Sequence, residues 1–301
     1  MIKVSIILPV YNVEPYLDET MQSLIQQTLT DIEIIAVNDG SSDGSKVVLE
    51  KYKQQDSRVS YYNQTNQGQS AARNHALRYA KGKYIYFMDA DDVLDLSAIQ
   101  VCYDYAENTM ADFVFFDGEI MFAEGTSQLP WDYKRTHLLK ENTPYNGQEL
   151  LNFMLDTKKH SCVVWLLFIR KSYLDNIQLH FYEGIIHEDE LYTAILTLKS
   201  HNIYCLQRSL VKHRVRKSST MGISFSKRNI NCYLTVADEL LHFRQTPIIH
   251  KYLHYTLSKV FYTGHQIPLK EKPAVFWRAM RSGYLKYIGL KSALVFWLKQ
   301  T

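Results

Sequence analysis

Tyr84-Ile85-Tyr86-Phe87-Met88-Asp89-Ala90-Asp91-Asp92 decides the fold of this chain. The apolar and aromatic run at its start suits a strand buried on both faces, the kind found in parallel sheets. It runs straight into three carboxylates. In open α/β sheets ligands gather beyond the carboxyl ends of the strands, so these acids stand where a site belongs. Upstream, Val4-Ser5-Ile6-Ile7-Leu8 is a β-branched run that stops at Pro9, Ile32-Glu33-Ile34-Ile35-Ala36-Val37 is a second, and Val59-Ser60-Tyr61-Tyr62 a third. Between them the spacing predicts helices. Leu17, Met21, Leu24 and Ile25 carry one over 12–27, a second covers 45–55, and Ala71, Ala72, Ala76 and Ala80 make a close-packing one over 70–80. Strands alternating with helices imply βαβ units and a mostly parallel sheet. The polar segments Pro9-Val10-Tyr11, Asp39 and Asp89–Asp92 then fall at the carboxyl ends of strands one, two and four.

Downstream the pattern loosens. Helices are expected over 97–108, 147–157 and 188–200, strands over 112–116 and 203–216, and a loop-rich stretch with room for a hairpin over 117–145. Residues 162–169 read as a buried strand or helix, and 217–222 as a polar loop. From residue 229 helices dominate, over 229–243, 247–263 and 272–299, the last interrupted by Gly283 and Gly289.

Composition excludes several classes. Of 301 residues, 46% are apolar and 22% charged, which rules out a disordered chain. With 12 Gly and 7 Pro the chain is neither collagen-like nor low-complexity. The longest clean apolar run is 162–169, far short of the about 20 residues that cross a bilayer. The start, Met1-Ile2-Lys3-Val4, lacks the features of a signal peptide. Cys102, Cys162, Cys205 and Cys232 show no C-x-x-C spacing, so neither zinc nor disulfides are expected, and a reducing cytosol is the simplest home. The net charge of +3 hides an asymmetry: residues 1–206 hold 17 Lys and Arg against 28 Asp and Glu, and residues 207–301 hold 17 against 3. That gives either two solvated faces of opposite sign or a basic region that meets an anionic partner, lipid or phosphate.

Each candidate site residue has an ordinary role beside its chemical one. Asp89-x-Asp91 is either a solvated turn or a pair of hard oxygen ligands for Mg²⁺ or Mn²⁺, an ion that usually also holds substrate phosphates. Asp92 suits an N-cap for the next helix. Asp39, in Asn38-Asp39-Gly40-Ser41-Ser42-Asp43-Gly44, is either an Asx turn or an acceptor for a base or ribose. No G-x-G-x-x-G and no P-loop is present. Arg73 is a surface charge, or a partner for the acidic cluster or a phosphate. His187-Glu188-Asp189-Glu190 favours a helix start, or supplies a general base raised by burial and neighbouring charge. Leu191 in the fifth position excludes H-E-x-x-H. His213-Arg214-Val215-Arg216-Lys217-Ser218-Ser219 is a solvated basic strand end, or a diphosphate clamp with His213 as a further metal ligand. Nucleic-acid binding is not expected, since no known module appears and the N-terminal part is acidic.

Taken in order, these segments resemble the inverting family 2 glycosyltransferases of the GT-A fold, of the kind that builds bacterial polysaccharides. Ser5–Asn12, Val37–Ser45, Asn66–Ala76 and Tyr84–Asp92 match densely; Trp165, His187-Glu188-Asp189 and Arg214-x-Arg216 continue the match more weakly. The resemblance implies a Rossmann-like nucleotide-sugar domain over 1–225; beyond it the helical patterns alone give a helical C-terminal region over 226–301. The resemblance also implies transfer of a sugar from a nucleotide donor, UDP-linked by preference, to an acceptor hydroxyl on a glycan or lipid-linked glycan, with Mn²⁺ or Mg²⁺. Pro9, Tyr11 and Asp39 would form the base pocket and Arg73 a nucleotide contact. Asp89 would face the ribose and Asp91 the metal. Asp189 would be the base, and Arg214, Arg216 and Ser218 would close over the diphosphate. One departure stands out: where many relatives carry Trp-Asn-Lys, Trp165 is followed here by Leu166-Leu167. Two rivals remain. A binding module that has lost turnover is opposed by the presence of Asp39, Asp91 and Asp189. A nucleotidyltransferase would usually carry a Gly-rich basic loop where Pro9-Val10-Tyr11-Asn12 stands. The aromatic and basic residues of 251–301 suit either packing on the core or the inner face of the cytoplasmic membrane.

Overall fold

In a computed structural model, residues 1–123, 132–216 and 225–299 are described. Strands and helices alternate from the start: β1 (Val4–Val10), α1 (Glu14–Ile25), β2 (Ile32–Asp39), α2 (Ser45–Gln55), β3 (Val59–Gln64), α3 (Gln69–Leu77) and β4 (Tyr84–Phe87). Then come β5 (Val93–Leu94), α4 (Ala98–Thr109), β6 (Phe113–Phe122), α5 (Gly147–Asp156), β7 (Leu167–Arg170), α6 (Lys171–Ile177), α7 (Glu188–Lys199) and β8 (Ile203–Val215). Helices α8 (Lys227–Phe243), α9 (Pro247–Thr263), α10 (Lys272–Arg281) and α11 (Leu290–Leu298) complete the described chain.

One sheet runs in the order β3-β2-β1-β4-β7-β6-β8-β5. Its first half is parallel, as the βαβ alternation requires; β7 and β5 enter antiparallel. The two-residue period explains why these strands read as continuous apolar runs. Ile6, Leu8, Ile34, Tyr84 and Tyr86 enter the core on one face, and Ile7, Ile35, Ile85 and Phe87 the core on the other. Fully burying one such side chain stabilises by about 1.5–3 kcal/mol.

β1 continues through Pro9, where the sequence predicts its end. Pro9 pairs in register with Val37, but β4 has already stopped at Phe87. The Ile7 carbonyl accepts from Met88 N on the β4 side. By the alternation of the strand, Pro9 faces that same side, where no neighbour demands its missing N–H.

β6 extends to Phe122, well into the stretch predicted as loop-rich, because β8 runs alongside it. The pairing slips between Phe115 and Gly118, and β8 carries the extra residues. Bulges of this kind bend a strand and re-aim its end. Beyond the slip β8 reaches β5, pairing Lys212 with Val93, which brings residues 213–216 against the acids that end β4. Residues 162–169 resolve into a short helical turn followed by β7, and α6 forms where no helix was predicted. The last predicted helix is two: Gly283, at φ +71, ends the reach of α10 before α11 begins.

α8–α11 do not close a core by themselves. Ile230, Leu234, Tyr252, Leu253 and Phe261 share one with Leu151 and Leu155 of α5 and Leu191, Ala194 and Leu198 of α7. Among the described residues no helix is long and apolar enough to cross a membrane.

Candidate active site

The loops after β1 and β2 are laced together. Asn12 adopts φ +49 and accepts from Ser42 N at 2.8 Å, while its own N–H donates to Ser41 Oγ at 3.1 Å. Val13 N donates to Ser45 Oγ, and Glu14 accepts from Gly44 N at 2.7 Å. Pro9 and Tyr11 sit on this scaffold, and the Tyr11 ring is 49% exposed. Asp39 is buried at the end of β2. Its carboxylate accepts from Gln64 Nε2, Gln67 N and Gly68 N, each at 2.8 Å. It thus anchors the turn that starts α3, where Gly68 holds φ +90, a conformation other residues strain to adopt. Asp39→Ala is expected to cost about 1–3 kcal/mol, because it removes the acceptor of three partly buried hydrogen bonds that hold the turn. Chemical denaturation checks this; a loss below about half of that range would mean the turn holds without the carboxylate.

The acids after β4 meet those that start α7 on one cation. Arg73 is fully buried, carried in by α3, whose Ala72 and Ala76 let the helix lie close on the sheet. Its guanidinium donates to Asp89 at 3.2 Å, Glu188 at 3.0 Å and Asp189 at 2.9 Å, and rests over the Phe181 ring. Three carboxylates on one cation leave surplus negative charge in a poorly hydrated place. Burial pushes Asp189 up to about 8; Glu188 and Asp89 add to the rise, while Arg73 and the Val164 amide oppose it. Burial raises Asp89 too, against the pull of Arg73.

Asp92 does not cap a helix, since α4 starts at Ala98. It is buried and accepts from His213 Nδ1 at 2.9 Å and from Arg214 N at 2.8 Å. Burial takes it up to about 7 against the His213 hydrogen bond. The His213 ring stacks on Trp165 at 4.8 Å, which fixes its direction. Leu166 and Leu167, the departure noted after Trp165, are both buried in the core and present no polar group. Asp89, Asp92 and His213 each offer one ligand atom, all within 4.8 Å of one another. Two carboxylates and an imidazole fit a hard divalent ion such as Mg²⁺ or Mn²⁺. Asp91 stands apart from that group: its Oδ2 accepts from Arg216 Nε at 2.6 Å. Arg214 donates to the Asp91 carbonyl and to Glu19, and both arginines lie over the Tyr16 ring. Ser218 lies outside the described residues.

Residues 5–178 match the family model described as glycosyl transferase family 2. The chain belongs to this family. The glycosyltransferase is 31% identical over 274 residues to the uncharacterized glycosyltransferase EpsJ of Bacillus subtilis (strain 168), spanning 88% of this chain and 76% of that one. It is 29% identical over 265 residues to the minor teichoic acid biosynthesis protein GgaB of the same organism, spanning 83% of this chain but only 28% of GgaB. Among solved structures, S. aureus TarS 1–349 in complex with UDP-GlcNAc superposes with a TM-score of 0.73 at 20% identity, covering 97% of this chain and 83% of that chain. The fold is therefore GT-A.

Several residues of the glycosyltransferase's site went unread in its sequence. The left-handed backbone of Asn12 leaves no sequence signal beyond the residue type, which tolerates that conformation. The members of the Asp92–His213 pair lie 121 residues apart, so no spacing could announce it. Glu190 belongs to neither of these groups: its carboxylate accepts from Tyr252 and Tyr233, and His160 lies at 3.7 Å. Although burial raises it, His160 above all, with the Tyr252 hydrogen bond and the charge of Lys259, holds it at about 2.

Proposed function

We propose that the enzyme moves a sugar, with inversion, from a UDP-linked donor to a hydroxyl on a growing surface or cell-wall glycan carried on lipid. The observation that carries this reading is the position of Asp189. Its carboxyl shares the Arg73 guanidinium with Asp89, which belongs to the ion-binding set. A raised carboxyl near neutrality is matched to accepting a proton. It also needs to be ionised to do so, and Arg73 favours that form.

In this reading Asp189 takes the acceptor hydroxyl's proton as the oxygen attacks the anomeric carbon from the face opposite the leaving diphosphate. Arg73 holds Asp189 and Asp89 at fixed separation, so acceptor and donor are oriented by one buried group. Asp39, Pro9 and Tyr11 take the base, with Tyr11 supplying the ring that packs on it. Mg²⁺ or Mn²⁺, held by Asp89, Asp92 and His213 with Asp91 nearby, would supply Lewis-acid neutralisation of the leaving diphosphate. Arg214 and Arg216 face that diphosphate and help to exclude water. The four cysteines are free, in keeping with a cytoplasmic setting.

Thermal shift with UDP, GDP and dTDP, each with and without Mn²⁺, tests the donor assignment. A ligand at about 100 times its Kd stabilises by about 2.7 kcal/mol. UDP with Mn²⁺ is expected to give the largest shift, lost in Asp89→Asn, which removes a ligand from the ion-binding set. No shift with any nucleoside diphosphate would sink the reading.

A further inference from the structure

We infer that the outward face of α11, with the adjoining end of α10, is a membrane-contact surface that lies in the interface of an anionic bilayer. This inference is independent of the donor assignment.

α11 is amphipathic in an inverted sense. Phe296 is its fully buried inward residue, packed on Phe261 of α9 at 5.1 Å between ring centres. Leu290, Leu294 and Leu298 recur every four residues and so form one stripe along the helix. They are 78%, 51% and 74% exposed. The Phe276 ring meets Trp297 at 5.4 Å, so α10 lies beside α11, and α10 contributes Trp277, itself 59% exposed. Single exposed apolar residues are ordinary. A leucine stripe exposed along a whole helix marks a surface that something covers.

The charges around it choose the occupant. Residues 251–301 carry nine Lys and Arg and one acid, Glu271. Arg281, Lys286, Lys291 and Lys299 are all exposed at the ends of α10 and α11. A second copy would set these cations against one another. An anionic lipid surface pairs with them while accepting the leucines and Trp277, the residue types that enter the headgroup boundary. With no described helix able to span a bilayer, the contact is in the plane of the interface.

Flotation of the full chain with phosphatidylglycerol–phosphatidylcholine vesicles tests this, with phosphatidylcholine vesicles alone as control. The unaltered chain is read first. It is expected to float with the anionic vesicles and to shift Trp277 emission to the blue, a shift absent in Trp277→Phe. Combining Leu290→Glu, Leu294→Glu and Leu298→Glu is expected to weaken vesicle binding at least about tenfold, a change of about 1.4 kcal/mol, with the melting temperature retained. Lys286→Glu with Lys291→Glu is expected to abolish the preference for anionic lipid. The inference is overturned if the unaltered chain does not float at low salt. It is equally overturned if the leucine variant floats undiminished, or if ultracentrifugation shows a dimer that the leucine variant dissociates while flotation stays the same.

Discussion

Asp189→Asn is expected to lower transfer by about 10²- to 10⁴-fold, the range a positioned general base supplies, with UDP affinity changed little. The substitution keeps the shape and one oxygen near Arg73, so the cation retains Asp89 and Glu188 as partners. What disappears is the capacity to accept a proton. The pH profile separates this from a general loss of structure. Because burial raises Asp189 to about 8, the ionised base becomes scarcer as the pH falls below that value. In the unaltered enzyme kcat/KM should climb with its midpoint near pH 8 toward a plateau above it, and this limb should be missing in Asp189→Asn. The stability effect has a defined sign. The folded chain keeps a proton that the unfolded chain releases between the ordinary carboxylate range and about 8, so this group's contribution to stability falls as the pH rises through that window. A variant with more than a tenth of the original kcat would remove Asp189 from the role.

Arg73→Met is expected to be the most destabilising single change at the site, by about 3–5 kcal/mol, the cost of breaking a buried charge cluster from one side. It leaves Glu188, Asp189 and Asp89 facing one another without their shared cation. At roughly 2–4 °C per kcal/mol for a chain approaching this size, calorimetry should register a fall of more than about 6 °C. The deficit should shrink at lower pH, as protons replace the missing cation on the carboxylates. Adding Glu188→Gln should recover part of it. A loss that ignored pH would mean that Arg73 acts through packing on Phe181 rather than through charge.

Strands β1, β2 and β4 were legible because each is buried on both faces and therefore spells itself as a short apolar run. Asp89, Asp91 and Asp189 stood out because carboxylates that follow such a run, or crowd a helix start, have few structural uses. What remained unread depends on contacts between distant segments. Arg73 reads equally well as a surface charge or as a partner for acids, and only the docking of α7 over α3 decides. Asp92 looks like a cap until the bulge in β8 brings His213 to it. The short β5 and the extension of β6 exist because β8 pairs with both, and strand pairing across that separation leaves no periodicity in either segment.

Glu190 has a consequence for anyone recombining this enzyme with a relative. It sits next in sequence to Asp189, yet its hydrogen bonds come from Tyr233 and Tyr252, on helices beyond residue 225. A chimera joined at that point would ask a foreign pair of helices to supply both hydroxyls. Failing that, Glu190 would lose both hydroxyls and keep His160 as its partner, one residue from Asp189. The four helices α8–α11 are therefore not interchangeable by themselves, because α5 and α7 share their core, and chimeras joined at residue 225 should express poorly as folded protein.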